Sequence, residues 1–193
     1  MNIRYDDLTM SADKKIEVTR TYLQMLSLDE LNASRLDDSR IRIERAVDCP
    51  PSFFRYLYRE VGRFYHWTDR LEWTDEQILA YLHRTEIALW VMYFEGSPAG
   101  YFEHERHEDG STEIAYFGLL PESFGRGLGK HLLTEAIERA WKEGANRVWL
   151  HTCTLDDAAA LPNYLKRGLK PFKQESYVTS ISPNEKLRSA DIG

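Results

Sequence analysis

The segment 124–130, FGRGLGK, places three glycines at alternate positions directly before a helix-forming run. A glycine inside a regular element costs about 0.5–1 kcal/mol relative to alanine, so this pattern indicates close approach of the backbone to something else. Successive backbone N–H groups in a glycine turn that opens a helix form an anion site, and the helix dipole adds to it. The pattern therefore fits a pyrophosphate, and a strand-to-helix turn without a ligand is the alternative.

Two nucleotide-binding motifs share part of this pattern but fail in detail. A P-loop needs a glycine where Phe124 stands and a hydroxyl side chain where His131 stands. The dinucleotide fingerprint begins well at Gly125 and Gly127 but meets Lys130 in place of its third glycine, and no early βαβ unit surrounds it. What remains is an anion site made of backbone amides.

Composition limits the partners of this site. A net charge of −6 argues against a general nucleic-acid or membrane-surface binder, because either needs a dominant basic face. Cys49 and Cys153 lack zinc-ligand spacing, so we expect free thiols in a reducing cytoplasm and no metal. Residues 1–15 show no apolar leader, and the longest apolar run, IALWVMYF, is too short to cross a bilayer. We expect a soluble, cytoplasmic protein.

The elements before residue 87 have mixed signals. Residues 16–25 fit a strand or a helix, and residues 41–47 alternate as a half-exposed strand does. Ser52 is a candidate cap for a helix that ends at Gly62. Thr74 and Gln77 form a capping box for the next helix.

From Ile87 onward the pattern predicts an antiparallel meander followed by a parallel crossover. The strands are IALWVMYF, GYFEHERHE and TEIAYFGLL, with turns at 96–98 and 109–110. An amphipathic helix follows the glycines to about Gly144, RVWLHTC forms a further strand, and residues 170–181 form the last. Between these two strands, Asp156 or Asp157 caps a helix that Gly168 closes.

From Ile87 to Phe172 the sequence resembles the acetyl-CoA-binding core of the GNAT N-acetyltransferases. The family motif Q/RxxGxG/A matches at Gly127 and Gly129, with Phe124 in place of Gln or Arg. The motif NxxAxxxYxxxGF matches at Ala160, Tyr164 and Gly168, with Asp157 for Asn and Leu169 for Phe. Two motifs at the right separation make the resemblance specific.

The resemblance implies a set of residues that hold acetyl-CoA and one that supplies a proton. In the family, amides of the strand before the loop hold the thioester and pantetheine, and loop amides bind the pyrophosphate. The matching positions, with Asp157 from the second motif, are Gly118, Leu119, Leu120, Gly125, Arg126, Gly127, Leu128, Gly129, Lys130 and Asp157. Tyr164 matches the tyrosine that protonates the coenzyme sulfur. A tyrosine simply packed on the last helix is the alternative.

Acetyl transfer to an amine also needs a base, because only the neutral amine attacks. Glu113 lies where the histone-acetyltransferase branch of the family carries its catalytic glutamate, and its strand parity with Leu119 predicts that both face the same side of the sheet. An exposed glutamate beside the turn is the alternative. Glu103, His104 and His151 are reserve candidates. For Cys153 we expect a packing role, since the sequence shows no activating base beside it.

The acceptor side is the least determined by sequence. An aromatic segment with interleaved carboxylates could form a wall over an amine, or it could pack the N-terminal half against the sheet. Its members are Phe64, Tyr65, Trp67, Asp69, Glu72 and Trp73. The sequence therefore leaves small-molecule and peptide amines open as acceptors.

We expect one mixed α/β (α+β) domain over residues 1–193, with a largely antiparallel central sheet, flanking helices and the GNAT acyl-CoA N-acyltransferase fold. Residues 1–86 shape the acceptor side, and residues 87–182 form the acetyl-CoA-binding core. The predicted function is acetyl transfer from acetyl-CoA to a primary amine by direct attack, without a metal, and the sequence leaves a homodimer open. A non-catalytic acyl-CoA-binding or sensing domain is the alternative.

Overall fold

The computed structural model describes residues 14–181. Residues 1–13, which carry most of the segment inspected for a leader, and residue 182, the predicted end of the core, lie outside the described residues. The elements are β1 Lys14–Met25, β2 Ile41–Arg45, α1 Pro51–Gly62, α2 Asp75–Leu82, β3 Ile87–Phe94, β4 Ser97–Arg106, β5 Ser111–Leu119, α3 Leu128–Lys142, β6 Arg147–Cys153, α4 Ala160–Lys166 and β7 Lys170–Ile181. Among these helices, none has the length and apolar character needed to span a membrane.

The strands form one mixed sheet in the order β2-β3-β4-β5-β6-β1-β7. Only β5 and β6 pair in parallel, across the α3 crossover, and the other neighbours are antiparallel. The predicted mixed, largely antiparallel sheet is therefore confirmed. The ambiguous segment 16–25 is a strand, because it pairs with β6 on one side and with β7 on the other.

Helices cover the two faces of the sheet with separate cores. The α3 stripe packs against side chains such as Phe102 and Val148, whereas α1 and α2 pack against Leu89 and Tyr101. Since Tyr101 and Phe102 are consecutive on β4, the two cores lie on opposite faces. Burying each such side chain stabilises the fold by roughly 1.5–3 kcal/mol.

Capping predictions had mixed outcomes. The capping box of Thr74 and Gln77 is present at the start of α2. Ser52 is not a cap: α1 begins at Pro51, whose fixed φ suits the first helical position. Neither predicted aspartate caps α4, which begins at Ala160. The Asp156 carboxylate accepts instead from the Thr152 hydroxyl and the Cys153 amide.

The sheet opens between β5 and β6. Parallel pairing covers only three residue pairs, of which Glu113 with Trp149 is the last. On the other side of β5, Ile114 pairs with His104 and Tyr116 with Glu103, which leaves Ala115 as a bulge. Beyond Glu113, β5 has no partner on the β6 side, and a cleft forms there.

Candidate active site

The cleft at the β5–β6 opening has a volume of about 1280 Å³. It is lined by β5, the glycine loop, the start of α3, β6, the segment before α4, α4 itself and the aromatic segment 65–70. Among the predicted site residues, those that line it are Glu113, Gly118, Leu119, Gly125, Gly127, Leu128, Gly129, Lys130, Asp157 and Tyr164. A single concave site therefore contains predicted site residues that lie up to 51 positions apart in the sequence.

The glycine loop presents backbone amides to this cleft. Gly125 and Gly127 have φ values of 74° and 75°, a left-handed conformation that favours glycine. Gly127 is the N-cap of α3, and no side chain caps the helix, so its first amides have no partner within the helix. Among the described residues outside its own helix, a Cβ built on Gly129 would meet only Leu119, with Cδ1 at 3.5 Å and Cγ at 4.0 Å. The surrounding residues would accept a Cβ at this position, so the glycine leaves a space that a side chain would otherwise fill.

Two predicted cofactor residues do not line the cleft. Arg126 turns its guanidinium over the Phe94 ring, 5.3 Å from its centre. Leu120 is buried, and its amide donates to the Ala99 carbonyl at 2.9 Å. The prediction that the Leu120 amide holds the thioester is therefore wrong, because β4 already uses that donor.

Register identifies the amides of β5 that face the opening. Backbone groups alternate in direction along an antiparallel pair, so the bond from Leu120 to β4 implies that Gly118 also pairs with β4. The prediction that the Gly118 amide holds the thioester or pantetheine is therefore wrong for the same reason. Phe117 and Leu119 then point their amides toward the β6 side, where β5 has no partner. Both side chains line the cleft, and Phe117 is a residue that sequence reasoning missed.

Tyr164 lies at the cleft on α4, and the residue is 6% exposed. Its ring meets Phe117 edge-on, with centroids 6.0 Å apart. Burial raises the pKa of Tyr164, and the negative charge of Asp156 raises it further. The hydroxyl is therefore held in its protonated, hydrogen-donating form.

Glu113 lies between two imidazoles at the last β5–β6 pair. Its Oε1 is 3.3 Å from His151 Nδ1, and its Oε2 is 3.4 Å from His107 Nε2. The predicted common face with Leu119 is wrong. Leu119 packs against the α3 core together with Ile114, so Glu113, adjacent to Ile114, faces the other side. The bulge at Ala115 breaks the simple alternation.

The reserve candidates separate clearly. Glu103 is fully buried and bound to Arg70, so its carboxylate is committed. His104 is fully buried on the α3 side, 4.0 Å from Glu143, and does not line the cleft. His151 does line it. Cys153 also borders the cleft and is not simply packed, yet burial, followed by the charge of Asp156, raises the pKa of its thiol and keeps it a weak nucleophile.

The aromatic segment serves both predicted roles, divided among its residues. Trp67 packs edge-on against Tyr116, with centroids 4.9 Å apart, and both border the cleft. Asp69 also borders the cleft and accepts from the Tyr116 hydroxyl at 3.2 Å. Trp73 packs against Tyr81 instead, outside the cleft lining. The wall thus consists of residues 65–70, whereas Trp73 has a packing role and Phe64 and Glu72 are exposed.

A buried ion pair holds this wall in place. Arg70 donates to both oxygens of Glu103, at 2.8 and 3.0 Å, and its guanidinium lies 4.1 Å from the centre of the Tyr116 ring. Tyr81 donates a further hydrogen bond to Glu103. Desolvation alone would lower the pKa of Arg70, but the Glu103 carboxylate raises it overall. Sequence reasoning missed this cluster because its members are separated by 11 to 33 positions.

The wall also touches the cofactor side of the cleft. Tyr65 donates from its hydroxyl to Asp157 Oδ2 at 3.0 Å, and burial followed by this contact raises the pKa of Tyr65 to about 12. The other oxygen of Asp157 accepts from the Ala159 amide. The Asp157 side chain, predicted to bind the cofactor, therefore lies in the cleft and already has two protein partners.

Charge is unevenly distributed around the cleft. The glycine loop and the end of α4 contribute Lys130, Lys166 and Arg167, and the segment before α4 contributes Asp156 and Asp157. The β4–β5 strands and the wall contribute Glu105, Glu113 and Asp69, and the wall's one arginine, Arg70, is paired with Glu103. Among residues 14–181, no group of three or more His, Cys, Asp and Glu side chains is arranged to hold a metal ion.

Comparison with known proteins agrees with this geometry. The profile of the acetyltransferase (GNAT) family matches residues 52–169. A GCN5-related N-acetyltransferase from Sphaerobacter thermophilus superposes with a TM-score of 0.63 at 17% identity, over 89% of this chain and 54% of that one. A GCN5-related N-acetyltransferase from Kribbella flavida gives 0.60 at 19% identity, over 88% and 60%. The chain thus spans little more than half the length of these two proteins.

A shorter neighbour is an aminoglycoside acetyltransferase from an uncultured soil metagenomic sample, in complex with trehalose. Its TM-score is 0.57 at 20% identity, over 67% of this chain and 88% of that one. At such identities the superpositions establish the fold alone. No curated protein matches the sequence significantly.

Proposed function

This chain belongs to the acetyltransferase (GNAT) family, and we propose that it transfers an acetyl group from acetyl-CoA to a primary amine by direct attack. The observation that carries the proposal is the amide-lined opening between β5 and β6, with a buried tyrosine on one wall and a carboxylate at its inner end. An acyl thioester supplies the activated carbonyl.

The residues present fit acetyl-CoA. The unpaired amides of the first turn of α3, the open space beside Gly125 and the Lys130 side chain suit a pyrophosphate. The amides of Phe117 and Leu119 face the unpaired edge of β5 and suit the polar groups of an extended pantetheine arm. These contacts are mainly to backbone groups, so having Phe124 where the family motif has Gln or Arg should remove little of the binding energy for CoA.

The acid–base assignment follows from the environments of two side chains. Tyr164 keeps its proton because burial raises its pKa, and it can donate that proton to a departing thiolate. Glu113 is the proposed base, since its carboxylate borders the cleft and takes up the proton that the ammonium form must lose. The carboxylates on that side of the cleft also favour a cationic acceptor.

A screen of amines with acetyl-CoA, followed by release of free thiol, tests the proposal. We expect thiol release that depends on both acetyl-CoA and an amine. Calorimetric binding of CoA without thiol release for any amine would instead support an acyl-CoA-binding or sensing role. Failure to bind CoA at all would contradict both.

A further inference from the structure

We propose that His151, Glu113 and His107 form a proton relay that carries the acceptor's proton out of the cleft; this inference rests on the proposed function. The Glu113 carboxylate bridges the two rings, with one oxygen 3.3 Å from His151 Nδ1 and the other 3.4 Å from His107 Nε2. They come from β6, β5 and the residue just after β4. Their placement at the last β5–β6 pair is therefore set by the sheet.

Exposure gives the relay a direction. His151 borders the cleft, with 35% of its side chain exposed, and Glu113 is only 12% exposed. His107 is 36% exposed but does not line the cleft, since it stands at the β4–β5 turn. A proton that enters at His151 can therefore leave through His107 while substrates fill the cleft.

Within the relay, each transfer runs between an imidazole nitrogen and a carboxylate oxygen that lie 3.3 or 3.4 Å apart. Among the described residues, His107 Nε2 is buried and has no hydrogen-bond partner, so the carboxyl group must turn to reach it. An N–H bond of the ammonium breaks as His151 Nε2 gains the proton, and the Nδ1 proton of His151 moves to Glu113 Oε1. The carboxyl group turns, and its O–H proton moves to His107 Nε2. His107 then releases its Nδ1 proton to water, and both imidazoles return to their starting tautomers by exchange with water. One proton passes from the amine to solvent, and all three side chains regain their charge.

The surroundings of the relay contain further charged and titratable groups. Glu105 lies opposite Glu113 on β4 and is paired with Arg84 at 2.9 Å. The Tyr22 ring is 5.7 Å from the His151 ring, and Lys173 lies above Tyr22. On the His107 side, Arg147 lies over the Trp149 ring that His107 contacts. The pH profiles below are therefore compared between variants, so that these groups stay constant.

Two histidine variants test the relay by kinetics. His151→Gln should lower kcat about 100-fold, with the KM for acetyl-CoA unchanged. His107→Gln should lower kcat less, and added imidazole or concentrated buffer should restore it, because an external base replaces the exit. His83→Gln, another exposed histidine away from the cleft, should match the wild type. Turnover of His107→Gln equal to wild type at all buffer concentrations would overturn the relay, as would loss of turnover in Glu113→Gln but not in His151→Gln.

A spectroscopic test does not need turnover. In the NMR titration of the imidazole carbons, replacing Glu113 by Gln should change the curves of both His107 and His151 but leave that of His83 unaltered. Unchanged curves for His107 and His151 would contradict the relay. If the wild type acetylates no amine, the proposed function fails on its own test, and the titration still decides whether the three groups are coupled.

Discussion

The two sides of the cleft are built in different ways. The cofactor side is made mainly of backbone groups, from the glycine loop and the unpaired edge of β5. The acceptor side is made of side chains, with Trp67 and Tyr116 supported by the buried pair of Arg70 and Glu103. A site made of backbone can be read from a local motif, whereas a site made of side chains depends on contacts between distant segments.

Breaking the ion pair should have the largest effect. Arg70→Met leaves Glu103 fully buried without its cation, which should lower the free energy of unfolding by about 3–5 kcal/mol. The double variant Arg70→Met/Glu103→Leu should recover part of this loss. Urea unfolding measures both, with Arg84→Ala as control, because that arginine pairs on the surface and should cost at most about 1 kcal/mol. Equal losses for Arg70→Met and Arg84→Ala would contradict the importance of the buried pair.

Removing the Tyr164 hydroxyl should affect rate and leave the fold intact. We expect Tyr164→Phe to lower kcat about 100-fold, the lower end for a general acid, because a thiolate leaves readily. Because burial raises the pKa of Tyr164 above the ordinary value of 10.0, its loss of activity on deprotonation should appear only above pH 10. Steady-state kinetics over pH checks both, with the exposed Tyr56→Phe as control. Unchanged kcat in Tyr164→Phe would remove the acid role.

Two glycine variants on the cofactor side distinguish a glycine needed for its backbone conformation from one needed to leave room for the ligand. Gly127→Ala should lower the free energy of unfolding by about 1–2 kcal/mol, because its φ of 75° is unfavourable for alanine. Gly129→Ala should leave stability unchanged or raise it by up to about 1 kcal/mol, yet weaken CoA binding because its Cβ enters the proposed anion site. Thermal unfolding and calorimetry measure these effects. CoA affinity of Gly129→Ala equal to wild type would place the pyrophosphate elsewhere.

Restoring the family motif at Phe124 should have the smallest effect of these changes. Phe124 lines the cleft and is 43% exposed. Phe124→Gln should therefore keep CoA affinity the same or tighten it, since it adds a polar group near the proposed pyrophosphate. Glu122→Gln, in the adjoining turn, serves as a surface control. A large loss of affinity in Phe124→Gln would show that the ring packs against the cofactor.

The sequence predicts the backbone-built cofactor side of the cleft better than the acceptor side, which is built of side chains. The strands from Ile87 onward, the crossover and the glycine loop depend on periodicity and glycine spacing, and the structure confirms them. Two predictions at β5 were wrong: that the Gly118 and Leu120 amides hold the thioester or pantetheine, and that Glu113 shares a face of the sheet with Leu119. Both depend on how β5 pairs with β4, because hydrogen-bond partners and bulges are properties of paired strands. The Arg70–Glu103 pair and the two imidazoles beside Glu113 were missed, since their partners come together only when the sheet and the segment 63–73 are assembled.

The bulge at Ala115 determines which face each later residue of β5 occupies. Ile114 and Tyr116 already pair with consecutive residues of β4, so deleting Ala115 would restore uninterrupted pairing and leave Tyr116 and Phe117 on their present faces. If Ala115 instead took the place opposite Glu103, every later residue of β5 would move one position along β4. Tyr116 would then leave the acceptor wall for the α3 core, and the amides that now face the opening would turn toward β4. One unpaired residue therefore keeps the acid–base chemistry in phase with the site that holds the cofactor.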